Sequence, residues 1–328
     1  MVVADIGATK TVVSRAVAGE NKITLVDPQT FDSRQAESFI AILEEYRERF
    51  PFEKELSLCV GVAGPVENNS VRITHLTWPV IDGSELARYF NFKRVVLLND
   101  LVVAGYGLAW MPNGAMEIVN AGQPADKANQ ALVSPGSGLG EAILHYIDGK
   151  LVPVASEGGH SDFAPFDGLT MRLWSFIKSR RSGVPVEAVL SGPGLANLYR
   201  FFCYEMGVSP SDSFVAAAAG NPGKAVLDLA QDNQDPAAVA AVRLFLDICA
   251  SEAGNFALKG LTVGGVYVGG GIMPRLIPFL NQKRFIDIFA RKGSHEALLR
   301  RIPVSIVTDT ALPLYGAAGY LVGQPASF

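Results

Sequence analysis

Hydrophobic positions along the chain change period several times, and the changes mark its elements. Residues 1–4 are apolar and run into Asp5. Gly7-Ala8-Thr9-Lys10 follows, then the β-branched run Thr11-Val12-Val13. That order predicts a strand, a tight glycine turn and a second strand. A further turn signal, Ala18-Gly19-Glu20-Asn21, leads into Ile23-Thr24-Leu25-Val26, a third strand. Phe39, Ile40, Leu43, Tyr46 and Phe50 then recur at helical spacing, with acids and bases on the other face. Residues 56–62 and 94–98 read as buried strands, the second ending at Asn99-Asp100.

The opening phrase recurs near the middle. Ala131-Leu132-Val133-Ser134 leads into Pro135-Gly136-Ser137-Gly138-Leu139-Gly140. A second strand, Ala142-Ile143-Leu144-His145-Tyr146, ends at the turn Asp148-Gly149. A helix-rich stretch follows, with Val239, Val242, Leu246, Cys249 and Ala253 on one face. Residues 263–268 run into Gly269-Gly270-Gly271. A last strand at 304–307 precedes a small-residue helix at 314–322. Both halves open strand, glycine turn, strand, which suggests an internal duplication although no residue-level repeat is visible. Two α/β domains of this kind, each directing a glycine hairpin into one cleft, would clamp a nucleotide between them.

Composition narrows the class. A chain of 328 residues has a prior of two domains at roughly 150 residues each. Charged residues make up 18% and hydrophobic residues 49%, against roughly 25% charged in ordinary soluble domains. Disorder, a coiled coil and a nucleic-acid surface would each need more charge. A net charge of −4 exerts no general pull on DNA or anionic lipid. Cys59, Cys203 and Cys249 are widely spaced, with no metal-binding pair, and read as reduced thiols of a cytoplasmic protein. The first residues lack a basic region before an apolar one, so no signal peptide is expected. The longest uncharged apolar run, 260–274, is shorter than the roughly 20 residues of a spanning helix.

Six phrases could carry chemistry. Asp5 with Gly7, Ala8, Thr9 and Lys10 would bring backbone N–H groups, a hydroxyl and an ammonium to a phosphate. Asp5, at the end of a buried strand, suits a metal-bound water; a capped turn is the plain alternative. Gly136, Ser137 and Gly138 form either a phosphate cradle or a plain turn. A strand rather than a helix follows, which speaks against a dinucleotide fingerprint. Asn99-Asp100 at a strand end is either a helix N-cap or the place of a general base. Glu157-Gly158-Gly159-His160 could converge on a polyhydroxy ligand or form a simple loop. Glu187 enters the glycine turn Ser191-Gly192-Pro193-Gly194, and reads by itself as a surface acid. Gly270 and Gly271 would let a flat ring lie against bare backbone, or else turn the chain into a helix begun by Pro274.

Taken in order, these phrases resemble the bacterial glucokinase family, within the sugar kinase–Hsp70–actin superfamily. D-I-G-A-T-K at 5–10 resembles the first phosphate loop of that family and P-G-S-G-L-G at 135–140 the second. L-N-D at 98–100 resembles the segment with the catalytic aspartate. E-G-G-H at 157–160, followed by Asp162-Phe163-Ala164-Pro165, is the most specific match. L-S-G-P-G-L-A-N-L-Y-R at 190–200 is nearly as specific, and G-G-G-I-M-P at 269–274 resembles the adenosine motif. Ala8 and Lys10 stand where that family has glycine and asparagine, and Ala8 requires a negative φ. Thr74-His75 stands where an asparagine usually follows the threonine.

The resemblance implies a two-domain actin-like ATPase (ribonuclease H-like) α/β fold with a cleft between a small and a large domain. The small domain would span 1–103, joined by 314–328, and the large domain 104–313. It implies an ATP-dependent glucokinase that phosphorylates the 6-hydroxyl of glucose. The alternatives are a kinase for another hexose or N-acetyl hexosamine, and a non-catalytic sugar- or nucleotide-binding regulator. Asn99, Asp100, Glu157, His160 and Glu187 would hold glucose, and Asp100 would be the base. Asp5, Gly7, Ala8, Thr9, Lys10, Gly136, Ser137, Gly138, Gly270 and Gly271 would bind ATP, with Mg²⁺ held by Asp5 through water. The partners implied are glucose, ATP and a second copy of the chain, with no nucleic acid and no membrane.

Overall fold

The computed structural model of the chain describes residues 1–52, 56–217, 220–231 and 235–323. The chain divides into two compact units. One comprises Met1–Ala115, Lys150–Ala155 and Ala311–Phe328; the other comprises Met116–Gly149 and Ser156–Thr310. The contact boundary thus falls at Ala115, whereas the sequence reading drew it at Val103. Val103 lies inside a helix, which cannot be divided between two cores. Of the terminal segment assigned to the small domain, residues 324–328 lie outside the described residues.

The first unit holds β1 (Val2–Ile6), β2 (Lys10–Gly19), β3 (Lys22–Asp32), β4 (Ser57–Val62), a short pair β5 (Ser70–Val71) and β6 (Ile81–Asp82), and β7 (Arg94–Asn99). Its main sheet runs β3-β2-β1-β4-β7. β1 and β2 are antiparallel with Ile6 opposite Thr11, so Gly7, Ala8 and Thr9 form the hairpin loop. β4 and β7 then add parallel strands, with Ile6 opposite Val62 and Val62 opposite Asn99. Parallel pairing brings the carboxyl ends of β1 and β7 to one edge, and with them Asp5 and Asn99-Asp100.

The helices of this unit are α1 (Phe39–Arg49), α2 (Gly83–Phe90) and α3 (Asp100–Gly107). α1 starts at Ser38, whose hydroxyl accepts the Ala41 N–H at 3.1 Å, a standard N-cap. It buries Phe39, Ile42, Leu43 and Tyr46. Ile42 replaces the expected Ile40 because a 3.6-residue period puts 39, 42, 43 and 46 on one stripe.

The second unit repeats the pattern. β8 (Met116–Asn120) is followed by the hairpin β9 (Gln130–Pro135) and β10 (Leu139–Ile147). After β11 (Lys150–Ser156), all but the last residue of which group with the first unit, come α4 (Gly168–Lys178), α5 (Gly192–Met206), α6 (Asp212–Ala217), α7 (Pro222–Gln231) and α8 (Pro236–Gly260). β12 (Gly265–Val268), α9 (Met273–Leu276), α10 (Gln282–Phe289), α11 (Glu296–Leu299) and β13 (Val304–Val307) complete it. β10 and β9 are antiparallel, and β12 and β13 extend β9 with parallel strands. The duplication suggested by the sequence is therefore present as topology: a hairpin closed by a glycine loop, then two parallel strands beside its first strand. α8 buries Val239, Val242, Leu246, Cys249 and Ala253, the stripe expected of it. Among the described residues, no helix is long and apolar enough to cross a membrane.

A last helix, α12 (Leu312–Val322), belongs to the first unit and starts two residues before the expected 314. It packs on α3 through glycines. A Cβ at Gly316 would overlap the Val103 carbonyl, and one at Gly107 would overlap that of Leu312. These contacts seat the helix that begins at Asp100. Gly316→Ala should therefore separate α12 from α3, at a cost of about 1–3 kcal/mol for a methyl forced into packed backbone. Thermal unfolding of the variant should begin several degrees lower; an unchanged melt would show that the helices yield freely.

Candidate functional site

In the first unit, the hairpin loop is held from beneath. The Gly7 N–H donates to the Lys10 carbonyl at 2.9 Å. The Ser33 hydroxyl donates to the Gly7 carbonyl at 2.9 Å, and the Ser33 N–H donates to the Thr9 carbonyl at 3.2 Å. Ser33 Oγ also lies 2.9 Å from Thr11 Oγ1. Ser33 is a support that sequence reasoning missed. It stands just after β3, far from the loop in sequence and outside any motif. Ala8 does not adopt a positive φ, so its Cβ is tolerated where the family resemblance would place a glycine. Thr9 and Lys10 are exposed.

Of the two roles left open by the sequence, the structure gives the capping role to Asn99. Asn99 is the N-cap of α3: its Oδ1 accepts the Leu101 N–H at 2.9 Å and the Val102 N–H at 3.4 Å. Its Nδ2 donates to the Gly64 carbonyl at 3.4 Å. The Asn99 oxygen is thus already committed, and a ligand could use only its amide N–H. Asp100 is the first helical residue, with Oδ1 accepting the Leu101 N–H at 3.0 Å. Anionic charge is favoured at that position by the helix dipole.

Asp5 feels Asp100. Burial, then the charge of Asp100, push Asp5 up to about 7, and Lys10 opposes the shift. Two acids brought to one edge are oxygen donors of the kind a hard cation takes. Mg²⁺ ordinarily takes one or two carboxylates and fills its shell with water and phosphate oxygens. Among the described residues no group of three or more histidines, cysteines or acids gathers as a metal cage. The Asp5 edge therefore fits Mg²⁺ bound with a nucleotide rather than a metal caged by protein alone.

In the second unit, the head of β10 organises three candidates. Leu139 N–H donates to Glu187 Oε2 at 2.9 Å. The same oxygen lies 2.6 Å from where a Cβ would stand on Gly138, so a side chain at 138 would push the Glu187 carboxyl off the Leu139 N–H. Glu187 is thus no free surface acid; it pins the loop Gly136-Ser137-Gly138. Gly159 sits against Leu139, where a Cβ would overlap the Leu139 carbonyl. This seats the turn Gly158–His160, in which the His160 N–H closes on the Glu157 carbonyl at 3.0 Å. Glu157 and His160 leave their side chains 89% and 63% exposed, with Oε2 and Nε2 3.9 Å apart. Both are open to a ligand.

The other glycine loops meet at the carboxyl end of β9. The Gly136 carbonyl accepts the Gly192 N–H at 2.8 Å, and the Gly269 N–H donates to the Val133 carbonyl at 2.8 Å. Gly270 has φ +89° and no room for a Cβ, which would overlap the Pro135 carbonyl. Nothing stands within 4 Å of a Cβ built on Gly271. Ser137 is exposed at the hairpin tip. Two glycine loops with open backbone thus adjoin, as a nucleotide site would require. Gly192, at the start of α5, is the member that sequence reasoning missed, although it lay within a phrase already singled out.

The Asp5 arrangement has a measurable consequence. An acid whose folded pKa is raised from 3.8 to about 7 binds more protons folded than unfolded. Its contribution to stability is fully present below pH 4 and is lost as pH rises through 7. Asp5→Asn carries no charge and escapes that loss. In the ligand-free protein at pH 8 it should raise the first thermal transition by about 4–8 °C, with the difference vanishing near pH 4. A variant that melts with the wild type at both pH values would show that Asp5 carries no electrostatic strain.

Comparison with known proteins gives the family and the fold. The family model described as Glucokinase matches residues 2–324. The chain is 30% identical over 331 residues to a glucokinase from Nostoc sp., covering 96% of each. Its structure resembles that of a glucokinase from an Antarctic psychrotroph, with 29% identity, a TM-score of 0.84 and 98% of both chains covered. It also resembles a glucokinase from Balamuthia mandrillaris solved in complex with glucose, with 20% identity, a TM-score of 0.77, and 98% of this chain and 93% of that one covered. The fold is that of the actin-like sugar kinases. With a family match running from the second residue to beyond the last described helix, the chain belongs to the glucokinase family.

Proposed function

We propose that the protein phosphorylates the 6-hydroxyl of glucose with ATP, and that Asp100 is the general base. The observation that carries the reading is the gathering of Glu157, His160 and Glu187 around the head of β10, in a chain that matches the glucokinase family along its length. Glu157 and Glu187 accept hydroxyl hydrogens, and His160 offers one donor and one acceptor. Asn99 adds its amide N–H.

Asp100 accepts the proton of the 6-hydroxyl as that oxygen bonds to the γ-phosphorus. The bond from the γ-phosphorus to the β,γ-bridging oxygen breaks, and ADP departs with that electron pair. Asp100 is suited to the role because Asn99 already caps the helix. The backbone N–H groups and Thr9 hydroxyl of 7–10, and those of 136–138 with Ser137, bind phosphate oxygens. Gly270 and Gly271 leave bare backbone for the adenine ring. Mg²⁺, held by Asp5 through water, neutralises phosphate charge when bound.

Reduced, buried Cys59, Cys203 and Cys249 suit a cytoplasmic enzyme. A homodimer is supported by exposed Tyr204, Met206 and Val208 at the end of α5 and just beyond it. Light scattering should give twice the chain mass of 35.0 kDa; a monomer at working concentration would remove that part of the reading.

A coupled assay with ATP–Mg²⁺ and a panel of hexoses tests the substrate: glucose should be preferred over mannose, fructose and N-acetyl hexosamines. Asp100→Asn should keep the glucose KM within a few-fold and lower kcat by roughly 10²–10⁴-fold. A folded Asp100→Asn protein that turns over at more than about a tenth of the wild-type rate would remove Asp100 from the base role. Glu157→Gln and His160→Ala should raise the glucose KM far more than the ATP KM. Equal effects on both would make the turn a structural loop.

A further inference from the structure

Beneath the Gly158–His160 turn lies an acid that the proposed reaction does not use. Glu141 stands on β10, on the face that carries Leu139, and is fully buried. Neither of its carboxyl oxygens has a hydrogen-bond partner among the described residues. Its Oε2 occupies the space where a side chain on Gly158 would begin, so a Cβ there would overlap it. The backbone connects the two as well. The Glu141 carbonyl accepts the Ser156 hydroxyl at 3.2 Å, and Ser156 Oγ accepts the Gly158 N–H at 3.2 Å. The carboxyl of Glu141 is the floor on which Gly158 rests, between Glu157 and His160.

The charges around it discourage ionisation. From α8, Glu252 faces it as a like charge, Lys259 opposes that, and the Cys249 thiol is pushed up by burial and then by both acids. Glu252 is itself occupied, its Oε1 by Lys259 Nζ at 3.4 Å and its Oε2 by Asn255 Nδ2 at 3.0 Å. Lys292 is spent on the Ser251 carbonyl at 3.0 Å and on Asn255 Oδ1 at 2.6 Å. His145 shares the strand, two pleats along the same face. Among the described residues, no donor is bonded to either carboxyl oxygen of Glu141. Burial, and then Glu252, hold Glu141 at about 7.

We propose that Glu141 is a positioning residue for sugar binding, holding the Glu157–His160 turn in its binding geometry only while its carboxyl is neutral. A buried carboxylate without donors has to reach water. The exposed element covering it is this turn, whereas α8 on the other side is core. Ionisation therefore displaces Gly158, and with it the two side chains on either flank. Below pH 7 the neutral acid packs as a polar wedge, and above pH 7 the turn loosens. The inference rests on the reading of Glu157 and His160 as sugar ligands.

The test is the pH dependence of the two Michaelis constants between pH 6 and 8.5, for wild type and Glu141→Gln. Glutamine keeps the shape and cannot ionise. If sugar binding requires the neutral form, the wild-type glucose KM should rise about tenfold per pH unit above 7. The ATP KM should show no such inflection. The ratio of the wild-type to the Glu141→Gln glucose KM cancels the titration of Glu157 and His160, and should itself rise about tenfold by pH 8. A ratio that stays flat overturns the proposal.

Glu252→Gln offers a second route if Glu141→Gln does not fold. Removing the like charge should move the wild-type inflection to lower pH, and an unmoved inflection counts against the coupling. Glu157→Gln in the same assay separates the two levels of failure. An unchanged glucose KM there overturns both the sugar reading and this inference. A raised KM with a flat Glu141 ratio overturns this inference alone.

Discussion

Leu139 opens β10, and its backbone does three things at once. Its N–H holds Glu187, its carbonyl leaves Gly159 no room for a side chain, and its place opposite Pro135 closes the loop Gly136–Gly138. Two residues on, Glu141 does for Gly158 what Leu139 does for Gly159. A strand turns alternate side chains to one face, so these two contacts stack along a single line. The candidate phosphate loop and the three candidate sugar ligands of this unit are thus referenced to the same few atoms. A shift at the start of β10 would move all of them together.

The glycines around this line follow from that closeness. Gly138, Gly158 and Gly159 each meet a carboxylate or a carbonyl where a Cβ would be. Gly159 is required by approach to backbone, whereas a side chain at 138 or 158 would displace a carboxyl group; none of the three has a positive φ. Gly270 differs, needing both the space and its φ of +89°. The high glycine content of the chain is partly the imprint of backbone packed directly against carboxyl and carbonyl groups.

The first unit solves a different problem. Its parallel strands carry Asp5 and Asp100 to one edge, where burial and then the charge of Asp100 disfavour the ionised form of Asp5. This conflict costs stability once Asp5 ionises. α12 locks α3, and so Asp100, into that arrangement through glycine contacts that admit no side chain. Local strain at a functional edge is balanced by rigid packing behind it.

Several features were legible in the linear order of residues. Strand, glycine loop and strand appear twice because a hairpin's strands and turn are contiguous, and local chemistry determines them. The stripe of α8 was open to the same reading, since periodicity acts within a few residues. The choice between cap and base at Asn99-Asp100 was not, because either side chain can accept an N–H; only the folded helix start assigned the cap to Asn99. The sequence presented Glu187 as an ordinary surface acid, and tertiary packing set it against the Leu139 amide. Ser33 and Glu141 belonged to no motif. Their roles arise from contacts between segments many residues apart, and burial without a partner is a property of the surroundings, not of the residue. The chain by itself determined its hairpins, its helix stripes and the inventory of acids and glycines. Three-dimensional packing alone decided which acid caps, which is pinned and which is left buried without a donor, because desolvation and hydrogen-bond geometry exist only once distant segments meet.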